Sequence, residues 1–280
     1  MASSPARISP LRTVGTFALG RACSDTIFHV LGRAYGEPME KEEQAVMPLA
    51  GGIMQNGYQC GLIWGAALAA GARAYHLLGA GPRAEAGAIA AAGRALEAFR
   101  ARNDAIDCFD ITGTDKTSTP FQMTKYFVLK GGTIGCFRMA AAYAQVAYDA
   151  IEAALADRTG EVPAAPVSCA AELARRMGAS DRHAVMASGF AGGIGLSGGG
   201  CGALAAAIWV LGLQALEGGT EKLGFRSPAA LALIERFLKV TGYELECEKI
   251  LGRRFEGVTD HAAHVREGGC AKVLDALAPA

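Results

Sequence analysis

The chain has 280 residues, and 51% of them are apolar, which is enough to bury a sizeable core and excludes general disorder. Lys plus Arg and Asp plus Glu are both 27, so the formal charge is zero and no global field draws the protein to nucleic acid or to an anionic membrane. Ala and Gly dominate the apolar fraction and aromatics make up 7%, a mix that predicts closely packed helices rather than a sheet.

In chain order, Met1 to Gly20 carries Arg7 and Arg12 but no continuous apolar stretch and no twin arginine, so no export signal is read there and a cytoplasmic location is expected. A helix opens at Cys23, where Cys23-Ser-Asp-Thr-Ile-Phe-His-Val-Leu repeats apolar residues at intervals of three and four. Gln44 to Ala72 lacks Asp, Glu, Lys and Arg. It starts as a Gly-rich loop containing Gly51, Gly52 and Gly57 and continues as a predicted helix from Cys60 to Leu78. An amphipathic helix is predicted over Ala84 to Arg102, with Asp107 and Cys108 just beyond it. Thr112 to Pro120 is polar and turn-rich and is expected to be an exposed insertion. Gly131-Gly132 then lead into a helix near Cys136. Asp157 to Pro163, with Pro166, interrupt the helical pattern and mark a seam. The expected units are residues 1–155 and 165–280.

The second unit runs through the same order: a helix from Cys169, a Gly-rich loop, a helix from Cys201 to Leu216, a helix from Pro228 to Thr241, then Cys247 after Glu246, and Cys270 after Gly268-Gly269. Ala184 to Leu216 is again free of charge. Its helical part has 16 residues, short of the roughly 20 that span hydrocarbon. Membrane insertion is not expected, because the Gly-rich beginnings would also leave backbone unpaired in lipid.

The repeat is explicit in the residues. Ala50-Gly51-Gly52-Ile53, Gly57 and Cys60-Gly61 recur as Ala191-Gly192-Gly193-Ile194, Gly198 and Cys201-Gly202. The intervals between successive cysteines are 37, 48 and 28 residues in one copy and 32, 46 and 23 in the other. Two ordered quartets with such similar gaps argue against cysteine as core filler. An all-α protein of two tandem helical repeats, related by a pseudo-two-fold axis as in a fused homodimer, is the expected architecture. Association with further copies is left open.

Cys60-Gly61-Leu62-Ile63-Trp64-Gly65 and Cys201-Gly202-Ala203-Leu204-Ala205-Ala206, each with one cysteine before and two after, resemble the C_GCAxxG_C_C family of redox-active proteins. The second copy matches more closely, with Ser188-Gly189-Phe190 ahead of its Gly-Gly pair. The first departs at Leu62, where the family favours Ala, and the second at Ala206, where it favours Gly. Members are typically single units of half this length, often encoded near oxidoreductases or transporters. A similar domain accompanies haem in split-Soret cytochromes, where an iron-sulfur centre is implied. The resemblance implies redox work and names no reaction.

Eight cysteines in a reducing compartment point to metal or redox chemistry rather than structural disulfides. The expected metal ligands are Cys23, Cys60, Cys108 and Cys136 in one repeat and Cys169, Cys201, Cys247 and Cys270 in the other, holding one iron-sulfur cluster per repeat, 4Fe-4S or 2Fe-2S, or a shared cluster at the pseudo-axis. Gly51, Gly52, Gly57, Gly61, Gly192, Gly193, Gly198 and Gly202 are the expected cofactor cradle, since glycine lets backbone amides approach an anionic group. Zinc is the alternative metal, but no Cys-x-x-Cys supplies the close ligand pair usual at structural zinc sites. A metal-free thiol-disulfide protein is the second class, with Cys60 and Cys201 as nucleophiles and Cys23 and Cys169 as resolving thiols. Placed at helix starts, both nucleophiles are expected to favour the thiolate. A metal-handling protein without redox change is the third. His261 and His264 could add a ligand, although with Asp260 they read as a solvated helix face, and His29 aligns with Arg175 and is not expected to ligate. No Gly-Lys-Ser/Thr follows either glycine run, which sets nucleotide binding aside. A redox partner protein or small substrate, and no nucleic acid, complete the expectation.

Overall fold

The computed structural model describes residues 6–157, 159–221 and 223–278, which contain fifteen α-helices and no strand. After a leading helix α1 (Pro10–Ala18), the first repeat comprises α2 (Cys23–Ala34), α3 (Glu40–Val46), α4 (Gly61–Leu78), α5 (Pro82–Arg100), α6 (Cys108–Thr112), α7 (Pro120–Thr124) and α8 (Gly132–Ala156). The second follows with α9 (Cys169–Arg176), α10 (Asp181–Ser188), α11 (Gly202–Glu217), α12 (Pro228–Thr241), α13 (Cys247–Leu251), α14 (Val258–Arg266) and α15 (Ala271–Leu277). The all-α expectation therefore holds, and so do the helices that start beside Cys60 and Cys201.

Local chemistry sets several of these boundaries. Ser168, Ser180 and Ser227 cap α9, α10 and α12 by accepting the amide three residues on, and Pro228 opens α12 where its missing N–H costs nothing. Three elements differ from expectation. Short helices α3 and α10 stand between the first helix and the glycine loop of each repeat, with Met47–Leu49 continuing α3 as a 3₁₀ turn. Cys108 and Cys247 follow the amphipathic helices as expected, and each begins a five-residue helix of its own that was not expected. Thr112 and Thr114 are buried with their hydroxyls 2.8 Å apart, so the Thr112 to Pro120 segment is exposed only in part.

The charge-free sequences are explained by position. Helices α4 and α11 are apolar on every face until their last turns and lie at the centre, with Trp64 and Trp209 fully buried. No helix among the described residues is long and apolar enough to cross a membrane.

The repeats exchange contacts reciprocally. Gly71 of α4 backs onto α10, where an added Cβ would lie 2.2 Å from the Met186 carbonyl oxygen, and Gly212 of α11 backs onto Ala45 of α3. These pairs are the same contact made twice. Trp64 meets Phe190 edge-on at 5.3 Å across the interface, and a single apolar core contains residues of both repeats. The buried Glu85 carboxylate accepts from Arg175 at 2.6 Å, tying α5 to α9.

Candidate functional site

Each quartet of cysteines lines one chamber. Cys23, Cys60, Cys108 and Cys136 face a cavity of about 290 Å³, and Cys169, Cys201, Cys247 and Cys270 face one of about 260 Å³. Neither chamber draws cysteines from both repeats. All eight are free thiols.

Main-chain hydrogen bonds place the second and third cysteines side by side. Cys60 N–H donates to Ile106 O at 2.8 Å and Cys108 N–H to Tyr58 O at 2.7 Å. Cys201 N–H to Leu245 O at 2.8 Å and Cys247 N–H to Gly199 O at 2.7 Å repeat the arrangement. The first cysteine starts α2 or α9, and the fourth lies in the second turn of α8 or caps α15.

A left-handed turn completes the scaffold. Gly51, Gly52, Ile53, Met54 and Gln55 have φ of 69, 71, 59, 51 and 62°, and Gly192 to Leu196 have 60, 81, 69, 53 and 67°. Left-handed backbone costs about 1–2 kcal/mol at each residue other than glycine. The strain is held by the same bonds in both copies, Gly57 N–H to Gly51 O at 3.0 Å and Gly198 N–H to Gly192 O at 2.9 Å. The turn delivers the Gly51 amide to the Cys23 sulfur. Of the expected cradle, Gly51 and Gly202 line the chambers, and Gly61 sits where a Cβ would lie 2.4 Å from Cys23 Sγ. Gly52 and Gly193 instead back onto Tyr58 and Gly199, while Gly57 and Gly198 back onto Phe109 and Glu248.

Burial decides the thiol chemistry, and it corrects the expectation that helix starts favour thiolates at Cys60 and Cys201. Cys60 is pushed well up by its hydrogen bond with Cys23 and by burial. Cys201 is pushed up to about 12 by burial, which outweighs the amides of Leu204 and Ala203 aimed at its sulfur. Burial likewise lifts Cys108 to about 12 and Cys136 to about 11, and raises Cys247. Cys169 is pushed up by its hydrogen bond to Cys270 and by burial, and the His261 imidazole pulls the other way. Cys23 alone is lowered, because Cys60 donates to it. The pairing also differs from the expected one in the second repeat, where Cys169 meets Cys270 rather than Cys201.

Several chamber residues have no local signal in the sequence. Arg21 lines the first chamber and reaches Glu43 at 3.2 Å and Asp25 at 3.7 Å. Burial pushes Asp25 up to about 6 against that guanidinium. Thr112 Oγ1 donates to Cys108 O at 2.7 Å, and Phe225, from the second repeat, closes the first chamber. His261 is buried on the wall of the second chamber, whereas the solvated-face reading holds better for Asp260, which pairs with Arg253 at 2.9 Å.

An iron-sulfur cluster asks for four thiolates around one space and N–H donors to sulfur. Each chamber gathers four thiols that could supply such thiolates, and the amides of Gly51 at Cys23, Leu62 at Cys60, and Ala203 and Leu204 at Cys201 are aimed at sulfur. Among the described residues no three His, Cys, Asp or Glu side chains are gathered to hold a single metal ion. A four-coordinate zinc would draw its ligands within about 2.3 Å of one point, whereas a cluster takes its thiolates at separate irons around a larger volume.

No curated protein and no solved structure matches the chain. The model of the family described as "Putative redox-active protein (C_GCAxxG_C_C)" matches residues 21–150 and again 167–279, and the chain therefore belongs to that family, as two consecutive copies.

Proposed function

We propose that each repeat binds one iron-sulfur cluster through its own four cysteines and that the protein serves electron transfer or redox catalysis in the cytoplasm, with a redox partner protein or a small substrate. The observation that carries this reading is the meeting of four thiols, distant along the chain, on one chamber in each repeat. A bound cluster supplies one-electron chemistry at a potential tuned by charge, hydrogen bonds to sulfur and exposure. The protein's part is to hold the thiolates from separate helices, to aim amides at their sulfurs and to keep water out with apolar walls such as Phe17, Phe127 and Phe137. High thiol pKa values oppose the free thiolate, and coordination to iron reverses this, so proton release accompanies loading.

The test is anaerobic purification with iron, zinc and acid-labile sulfide counts, followed by spectra of Cys60→Ser and Cys201→Ser. Iron and sulfide with a visible chromophore that either change diminishes supports the reading, and stoichiometric zinc without sulfide overturns it.

A second reading rests on the thiol-thiol hydrogen bonds Cys23 to Cys60 and Cys169 to Cys270. Each pair could close a disulfide, releasing two protons and two electrons to an oxidant such as a second disulfide. A colourless, metal-free protein whose mass falls reversibly by two hydrogens per repeat would favour it.

A further inference from the structure

The two chambers are built alike from their cysteines but differ in one residue that faces them. Nine residues before the fourth cysteine stands Phe127 in the first repeat and His261 in the second, and both line their chambers. His261 is the only buried histidine among the described residues. Its Nδ1 lies 2.9 Å from the Val167 carbonyl oxygen. A carbonyl only accepts, so Nδ1 carries the proton and Nε2 presents its lone pair. Phe255 fixes the ring from the side, with centroids 4.8 Å apart and planes at 85°.

Nε2 finds no nitrogen or oxygen partner, and the chamber group the imidazole acts on is the Cys169 thiol. A buried lone pair met only by sulfur is weakly satisfied, since a thiol is a poor donor. Metal-ligating histidines show this same arrangement, one ring nitrogen donating to a backbone carbonyl and the other free toward the metal.

We propose that His261 Nε2 is a ligand to the metal group of the second repeat, which makes that site a mixed nitrogen-sulfur site while the first is ligated by sulfur alone. The inference rests on the cluster reading above. With Nε2 taking an iron position in place of one of the four thiolates, the second site loses a negative charge and has the more positive reduction potential. Electrons given to the protein then settle in the second repeat, and the duplication becomes a two-step carrier rather than two equal stores.

The experiment uses the full chain, loaded with iron and sulfide without oxygen, reduced and grown with ¹⁵N-histidine. Pulsed EPR is expected to show one strongly coupled histidine nitrogen, present in the wild type, retained in His264→Phe and lost in His261→Phe. A redox titration is expected to show two potentials, the upper one falling in His261→Phe. Full loading of both sites with no histidine coupling in the wild type overturns this assignment and leaves the cluster reading standing. Coupling that survives His261→Phe also overturns it. Absence of iron and sulfide from the wild type overturns both, and the labelled wild-type protein needs no variant to fold.

Discussion

Glu42 Oε1 lies 3.2 Å from His183 Nε2, and the two residues, 141 apart, occupy the same position in successive repeats. The pseudo-two-fold axis therefore passes between them. Gln59 and Gly200, also 141 apart, meet there too, with Gly200 N–H donating to Gln59 Oε1 at 2.9 Å. In a dimer of identical single units each such position would face its own copy. Fusion lets the two sides diverge, so that a carboxylate meets an imidazole and an amide side chain meets bare backbone.

The Glu42 pair makes interface stability depend on acid. Burial pushes the Glu42 carboxyl up, but the His183 hydrogen bond and a backbone amide more than offset this and hold it below its usual value. A carboxyl depressed in the folded state contributes stability that is present above the unfolded value, about 4.3, and is lost as pH falls through the folded value. Glu42→Gln is expected to cost about 1–2 kcal/mol at pH 7. Urea midpoints at pH 7 and pH 3.5 should fall less between the two for the variant than for the wild type, and an equal fall would remove Glu42 from the account.

Gln59 bridges the repeats with both ends of its amide, since Nε2 also donates to Gly193 O at 3.1 Å. It is completely buried. Gln59→Ala leaves the Gly200 amide and the Gly193 carbonyl facing a small void, and a loss of about 2–3 kcal/mol is expected. Chemical denaturation measures this, and the transition should stay single, because one core spans both repeats.

Gly52→Ala and Gly193→Ala test the left-handed turns. A Cβ at Gly52 would lie 2.2 Å from the Tyr58 carbonyl oxygen, and one at Gly193 2.4 Å from the Gly199 amide nitrogen, each at a positive φ. Both clashes are with backbone, so relief requires moving the strand-like pairing that seats the second and third cysteines. A cost of about 2–4 kcal/mol is expected for each. Thermal melts of the metal-free chain check it, and a cost under 1 kcal/mol would show that the turn is not held as rigidly as its hydrogen bonds imply.

Much of this architecture can be read from the residues, because the Gly-Gly pairs and cysteine order repeat while α4 and α11 carry long unbroken helical patterns. What escaped has physical causes. The five-residue helices at Cys108 and Cys247 are too short to show a period. The left-handed turn includes Ile53 and Met54, residues whose own preference is against it, so only tertiary packing selects it. Burial of His261 is invisible beside Asp260, since an i, i+1 pair on a helix points to different faces. The helix-start field at Cys60 and Cys201 points to a thiolate, but it favours one by less than full burial opposes it, and burial is not visible in the local sequence.

Because each chamber is lined by the cysteines of one repeat, the two sites should load independently. Cys60→Ser is expected to retain about half the iron and sulfide of the wild type, and Cys201→Ser the other half, with summed difference spectra reproducing the wild type. Loss of all iron in either variant would instead indicate a single group shared across the axis.

Gly61 sets a direct contest between two effects of known sign. It begins α4 with ordinary helical backbone, where Ala for Gly would stabilise by about 0.5–1 kcal/mol on helix preference. Its Cβ, however, would lie 2.4 Å from Cys23 Sγ and 2.9 Å from Ala50 Cα. The sulfur can only swing into the chamber and Ala50 is main chain, so packing is expected to win and Gly61→Ala to destabilise. Gly15→Ala in α1 has nothing within 4 Å of the new Cβ and should show the helix-preference gain alone. In the loaded protein Gly61→Ala should lower iron in the first site while leaving the nitrogen-coupled signal of the second unchanged. A variant as stable as the Gly15→Ala control, with both sites full, would mean that the Cys23 sulfur sits elsewhere once metal is bound.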